Sequence, residues 1–224
     1  MSQAPEAVIL LHGLGRTARS MSSMARALEA RGYQVWNKSY PSRKQDIDTL
    51  AQHAIAPGVA HCVAMGCTSI HFVTHSMGAI LLRQYLQHSP LPSPGHIVML
   101  APPNQGSELT DRLKGQFWYP RILGPAAMQL GTDAAAKPNA LQPVTGTIGV
   151  IAGTGLAPPW LNWWFTGEND GKVSVQSTRL QEMSDFLTVR RGHTTIANSP
   201  GVIQQVVHFL QHGRFARQRY SQPG

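Results

Sequence analysis

The segment from Ile70 to Leu82, IHFVTHSMGAILL, sets one serine between an apolar run that reads as a strand and one that reads as a helix. A serine hydroxyl is a poor nucleophile until a base takes its proton. A sharp strand-to-helix turn would lift Ser76 Oγ clear of a sheet, and the helix N-terminus beneath it favours negative charge developing there. Gly78 supplies the small neighbour such a turn needs on its far side, whereas Thr74 stands where G-x-S-x-G has its first glycine. In sites of this layout the partners follow in the order serine, acid, histidine. His193, in the loop RGHTT after the last strand, is the expected base. His208 and His212 sit inside an amphipathic helix. The expected acid is Asp170, in the turn NDGKV, with Glu168 as runner-up. Near the start, VILLHGLGR reads as a strand running into a glycine loop. Backbone N–H groups of Leu14 there, and of Met77 after the serine, are placed to bind an oxyanion.

The same loop carries a rival reading. Gly13 to Ala18, GLGRTA, matches the G-x-G-x-x-G/A dinucleotide fingerprint between a strand and a helix. That reading wants an acid at the end of the second strand to hold a ribose, and the residues there are VWNKS, with Lys38 the one group able to face a 2′-phosphate. Two aromatic groups are candidate substrate contacts: Trp160, Trp163, Trp164 and Phe165 just before the proposed acid, and Phe117 with Trp118 further back. The first group reads equally as an acyl-binding wall or lipid-facing patch and as packing under a long loop. His208 and His212, four apart on one helix, are at metal-ligand spacing without a third ligand nearby. His12 and His75 read as groups beside the site.

These residues need a scaffold that gathers strand ends. Apolar runs at Val8–Leu11, Ser69–Thr74, His96–Leu100, Thr147–Ala152 and Phe186–Val189, with Tyr33–Tyr40, alternate with helical patterns at Met21–Leu28, Asp48–Met65, Met77–His88 and Val202–Leu210. The order calls for an α/β fold with a mostly parallel sheet flanked by helices. Pro57-Gly58 is expected to kink or split the second helix. Residues 103–146, rich in Gly and Pro, read as a small cap inserted into a single domain spanning 1–224, and 214–224 as a frayed basic tail. With 224 residues and 42% hydrophobic content the chain can bury a core. Its 13% charged residues argue against a coiled coil. The net charge of +8 comes from scattered basic residues with no nucleic-acid motif, which leaves weak attraction to anionic membrane surfaces as the secondary reading. No apolar run approaches the ~18 residues a membrane span needs. Met1–Glu6 lacks the features of a secretory signal, so the expected location is the cytoplasm. Cys62 and Cys67 are read as reduced, buried thiols.

Four motifs, HGLG at 12–15, THSMG at 74–78, NDGKVS at 169–174 and GHT at 192–194, occur in one order across nearly the whole chain. Together they resemble the α/β-hydrolase family, and within it the small bacterial lipases and esterases, in which the first glycine of the serine motif is also replaced. The resemblance implies Ser76 as nucleophile, Asp170 as acid, His193 as base, and the backbone of Leu14 and Met77 as oxyanion hole. It implies a hydrolase of carboxylic esters or lipids that uses no cofactor and no metal, binds no nucleic acid, and has no specified oligomeric state. Thioesterase, amidase and acyltransferase chemistry use the same machinery. A non-catalytic binding scaffold is the reading from another class. The segment APPNQGS at 101–107 is similar to one that follows a strand in lipase-like members.

Overall fold

A computed structural model describes residues 5–155, 163–165 and 167–217. Six strands form one sheet: β1 (Glu6–Leu11), β2 (Gln34–Asn37), β3 (Ser69–His75), β4 (Pro94–Leu100), β5 (Ile148–Gly153) and β6 (Asp185–Val189). Their order is β2-β1-β3-β4-β5-β6 and every pairing is parallel. The strands read as apolar runs because both faces are covered. On one face Ala7, Ile9, Phe72 and Met99 pack under α2 (Ile47–Ala64) and α3 (Met77–Leu86). On the other, Val8, Leu10, Val73 and Val98 pack under α1 (Ser22–Glu29) and the C-terminal helix. This is the parallel α/β arrangement that the alternation of elements called for. β1 has its sequence successor β2 on one side and β3 on the other. The strand order therefore reverses there, and the carboxyl ends of β1 and β3 open onto a crevice suited to a ligand.

Three expectations need correction. The second strand is only four residues, Gln34–Asn37, because the chain leaves the sheet edge for Tyr40, whose ring stacks on His12. The second helix is not split at Pro57: it runs through as 18 residues. Pro57 forfeits one backbone hydrogen bond, but Leu50, Ala51 and Ile55 before it and Val59 and Cys62 after it are all buried in the same cluster, and that packing holds both halves together. Gly58 lies against Trp36, whose Cδ1 a Cβ would approach to 2.8 Å. The third concerns the tail: residues 214–217 are held rather than frayed. Phe215 is buried against Phe209, its N–H donates to Asp185, and Arg217 pairs with that carboxylate. Residues 218–224 lie outside the described part.

After β4, residues 103–146 carry four short helices: α4 (Glu108–Leu113), α5 (Tyr119–Leu123), α6 (Pro125–Met128) and α7 (Lys137–Ala140). Arg83, buried on α3, ties this segment to the sheet layer by donating to the carbonyls of Asn104 and Leu141. The last helix, α8 (Pro200–His212), ends at Gly213 in the left-handed conformation usual after a helix terminus. Cys62 and Cys67 are free and buried, and burial pushes the Cys62 thiol up to about 11. Among the described residues no helix is long and apolar enough to cross a membrane.

A buried histidine far from the crevice sets an acid limit on this fold. His71 of β3 accepts the His96 N–H at its Nδ1 and packs edge-on against Tyr33, with Glu6 Oε1 3.9 Å from its Nε2. Burial first, and repulsion from His96 second, bring its pKa down to about 4. Below about pH 6.5 the unfolded chain takes up a proton that the folded chain refuses. Stability therefore falls from about pH 6.5 to about pH 4, by roughly 3 kcal/mol from this residue. Urea midpoints measured across that window should fall more steeply for the wild type than for His71→Gln. Parallel curves would refute the assignment.

Candidate active site

β3 ends at His75, and the chain turns directly into α3 through Ser76, at φ 54° and ψ −126°. That backbone conformation is rare for a residue with a Cβ and is found chiefly where function demands it. The turn is held by the Ser76 N–H, which donates to Leu100 O of the neighbouring strand at 2.9 Å. It also explains the glycines around it. A Cβ on Gly78 would come within 2.7 Å of Leu11 O, and one on Gly13 within 3.1 Å of Ser76 Cβ. The end of β1 is pressed against the elbow from both directions. Thr74, in contrast, is a regular strand residue, so its position makes no demand for glycine.

His193 bridges the serine and the acid. Ser76 Oγ lies 2.9 Å from His193 Nε2, and His193 Nδ1 lies 2.7 Å from Asp170 Oδ2. Asp170 is buried, and its other oxygen accepts the N–H groups of Lys172 and Val173 at 3.0 and 2.9 Å. The carboxylate is thus fixed by its own turn and aims Oδ2 at the imidazole. Glu168 is exposed and does not reach His193. The histidine backbone is clamped as well. Its N–H donates to Asp170 O at 3.0 Å, and its carbonyl accepts Nε2–H of His75 at 2.8 Å. His75 is fully buried, and burial together with the nearby His193 brings its pKa down to about 3, so it stays a neutral donor. An arrangement of this kind can pull a proton off a hydroxyl and hold the resulting imidazolium.

The glycine loop is set by His12. Its Nε2 accepts the Tyr40 N–H at 3.3 Å, its Nδ1 donates to Gly13 O at 2.9 Å, and the Tyr40 hydroxyl donates to its carbonyl. Burial keeps this imidazole neutral, which the bonding pattern requires. Within the loop, the Gly15 N–H is taken by Ser42 Oγ and the Arg16 N–H by Gly13 O, while the Leu14 N–H has no protein acceptor among the described residues. Met77 opens α3, where a backbone N–H has no intrahelical partner. The 101–107 segment also acquires a structural role. Asn104 donates to Thr178 O, and Ser107 Oγ donates to Lys172 O, so this segment ties the end of β4 to the loop bearing Asp170.

A cavity of about 140 Å³ opens on Ser76, His75 and His193. Its apolar wall is Leu109, Leu113, Tyr119, Leu123, Leu130 and Val173, and Arg16 and Lys172 also border it. Of the aromatic residues singled out in the sequence, the five that are described are not among its walls. Trp163 is exposed and Trp164 half-buried, both beside Arg112 of α4 at 5.4 and 5.7 Å. Arg112 lies between Leu109 and Leu113 in sequence, but it is exposed and does not line the cavity. Phe165 is buried away from the cavity, Phe117 is 76% exposed, and Trp118 packs edge-on against Tyr119, one shell further out. Trp160 lies outside the described residues. The cap leucines that do form the wall are spaced four apart, 109 and 113, a signal that the aromatic clusters outweighed. His208 and His212 stack on one another at 4.2 Å on an exposed helix face, and no metal-binding cluster occurs among the described residues.

Residues 8–217 match the family model described as the alpha/beta hydrolase family. The structure is similar to the mature form of Bacillus licheniformis lipase BlEst2, with 19% identity over 95% of this chain and 93% of that one and a TM-score of 0.74. It is similar to phospholipase PlaB from Legionella pneumophila, with 17% identity, 94% of this chain, 60% of that one and a TM-score of 0.70. A metagenomic carboxyl esterase, MGS0156, aligns at 18% identity over 86% of this chain and 66% of that one, with a TM-score of 0.64. At these identities the likeness is one of fold. No curated protein matches the chain in sequence.

Proposed function

The chain belongs to the alpha/beta hydrolase family, and from that premise we propose that it is a serine hydrolase of carboxylic esters, with Ser76 as nucleophile, His193 as base and Asp170 as acid. The observation that carries this reading is the continuous bridge from Asp170 Oδ2 through His193 to Ser76 Oγ, at 2.7 and 2.9 Å, on a serine held in a strained turn. Ser76 Oγ attacks the ester carbonyl carbon while its proton passes to His193 Nε2. The tetrahedral oxyanion is received by the N–H groups of Leu14 and Met77. The bond to the alcohol oxygen then breaks, and His193 returns the proton to the departing alcohol. Water, deprotonated by the same nitrogen, attacks the acyl-serine, and the carboxylic acid leaves with Ser76 Oγ reprotonated. Asp170 holds the imidazole with its proton on Nδ1 and stabilises the imidazolium. Residues 103–146 act as a cap that supplies the acyl-binding wall.

The cavity argues for esterase rather than long-chain lipase activity. Its volume of about 140 Å³ is close to that of an engineered cavity of about 150 Å³ that accepts benzene. Acyl chains of about four to six carbons fill such a volume. Rates measured with p-nitrophenyl esters from acetate to palmitate should peak at butyrate or hexanoate and drop at least about tenfold by palmitate. An optimum at palmitate would show that the cap opens to a larger site. Failure of all the esters would overturn the proposed reaction.

A further inference from the structure

The cavity beside Ser76 has two chemically different kinds of lining residue. The lining supplied by α4, α5 and Leu130 is mostly hydrocarbon, whereas Arg16, on the glycine loop, and Lys172, two residues beyond Asp170, bring charge to the same cavity. Among the described residues neither Arg16 nor Lys172 joins an ion pair. Lys172 is exposed overall, yet partial desolvation of its ammonium lowers its pKa. Asp170 opposes that shift and the charge of Arg16 adds to it, so the two cations feel one another across the rim. Beyond Arg16 the surface continues as a second depression, bordered by Arg16, Arg19, Thr17, Ser20 and Asn198. Arg19 is also without an ion pair among the described residues. A hydrocarbon pocket thus leads past the reactive serine into a strip of cations and hydroxyl or amide donors. These are the groups that bind a phosphate, by charge-assisted hydrogen bonds that a neutral headgroup cannot form.

We infer that the preferred substrate is an acyl ester whose alcohol part carries a phosphate, with the acyl chain under the cap and the phosphate between Arg16 and Lys172. This inference rests on the proposed ester hydrolysis and names its substrate class. The side is set by polarity: an anion on the acyl chain would have to enter the leucine wall, where an unpaired charge is costly. The alcohol side opens over the two cations. The loop Gly13–Ala18, whose spacing matched a phosphate-binding fingerprint in the sequence, is the loop that presents Arg16.

The test compares three butanoyl esters, of glycerol, of glyceric acid and of glycerol 3-phosphate. For the wild type, kcat/KM on the phosphate ester should exceed that on the glycerol ester by about tenfold, the size expected of a pair of charge-assisted contacts at a partly exposed rim. The gain should lie mainly in KM and shrink at high salt. Arg16→Gln and Lys172→Gln should each reduce this ratio, and the double variant should bring it close to one. An equal advantage for the glycerate ester would overturn phosphate in favour of any anion. Equal rates on the phosphate and glycerol esters, or a preference that survives the double substitution, would overturn the inference while leaving ester hydrolysis intact. A binding measurement separates the inference from catalysis. In Ser76→Ala, hexyl phosphate should bind about tenfold more tightly than hexyl glucoside by calorimetry, and equal affinities would overturn the phosphate site even if no ester were turned over.

Discussion

Ser76→Ala should abolish turnover of p-nitrophenyl butyrate, lowering kcat by about 10⁴-fold or more while leaving the folded state intact. The reason is that the proposed mechanism puts the whole acyl transfer through one oxygen, 2.9 Å from the base proposed to activate it. What remains in the variant is binding and oxyanion stabilisation, which accelerate attack by water only weakly. Removing Oγ is not expected to harm folding, because the strained backbone at φ 54° is held by the Ser76 N–H to Leu100 O and by the packing of Gly13 and Gly78, none of which uses the hydroxyl. The check is double. Steady-state rates are compared at equal protein concentration, and wild type and variant are treated with a phosphonate ester that labels activated serines. The wild type should gain one adduct by mass and the variant none. Retained activity, or an adduct elsewhere, would remove Ser76 from the mechanism.

Asp170→Asn should cost about 10³- to 10⁴-fold in kcat, with little change in KM. The expected size follows from where the two carboxylate oxygens are committed. Oδ1 accepts two backbone N–H groups, from Lys172 and Val173, and Oδ2 faces His193 Nδ1. In the amide, the oxygen must stay with the backbone donors, because the NH₂ group there would leave two buried N–H groups unpaired. The NH₂ therefore points at His193 Nδ1, which can answer only as an acceptor. The imidazole proton moves to Nε2, and the nitrogen beside Ser76 can no longer take a proton from it. Glu168→Gln provides the contrast. Glu168 is exposed and meets its neighbours here through its backbone carbonyl, which accepts the Val175 N–H, so its substitution should change rates less than about twofold. Comparable losses in both variants would mean that the loop, rather than Asp170 itself, is being read.

Much of this site is written locally. Ser76, Asp170 and His193 each sit in a short motif whose residue types already state a backbone need: an elbow, an Asx-type turn, a loop after a strand. The alternation of apolar strands with amphipathic helices implied the parallel sheet, and a parallel sheet gathers its strand ends on one side. The order of motifs along the chain was enough to name the residues that the fold brings within hydrogen-bond distance. The Asp-Gly turn favoured Asp170 in the sequence, and the folded turn buries Asp170 and leaves Glu168 exposed.

The wall of the cavity was not legible, and the reason is physical. A large aromatic side chain announces buried area but not which side of a helix or loop it will bury. Trp163 and Trp164 packed beside Arg112, which is exposed, while the cavity lining fell to Leu109 and Leu113. The persistence of the second helix through Pro57 and the anchoring of the tail by Phe215 have the same origin: a local signal for breakage or fraying was overruled by apolar contacts to residues far away in the chain. The meeting of Arg16 and Lys172, 156 positions apart, is also a product of the fold. The sequence by itself determined the class of fold and which residue types could carry acyl transfer, because strand periodicity, turn chemistry and motif order are local properties of the chain. Only the tertiary structure decided which carboxylate faces the histidine, which side chains wall the cavity and which charges rim it, because those depend on contacts between segments that no local pattern relates.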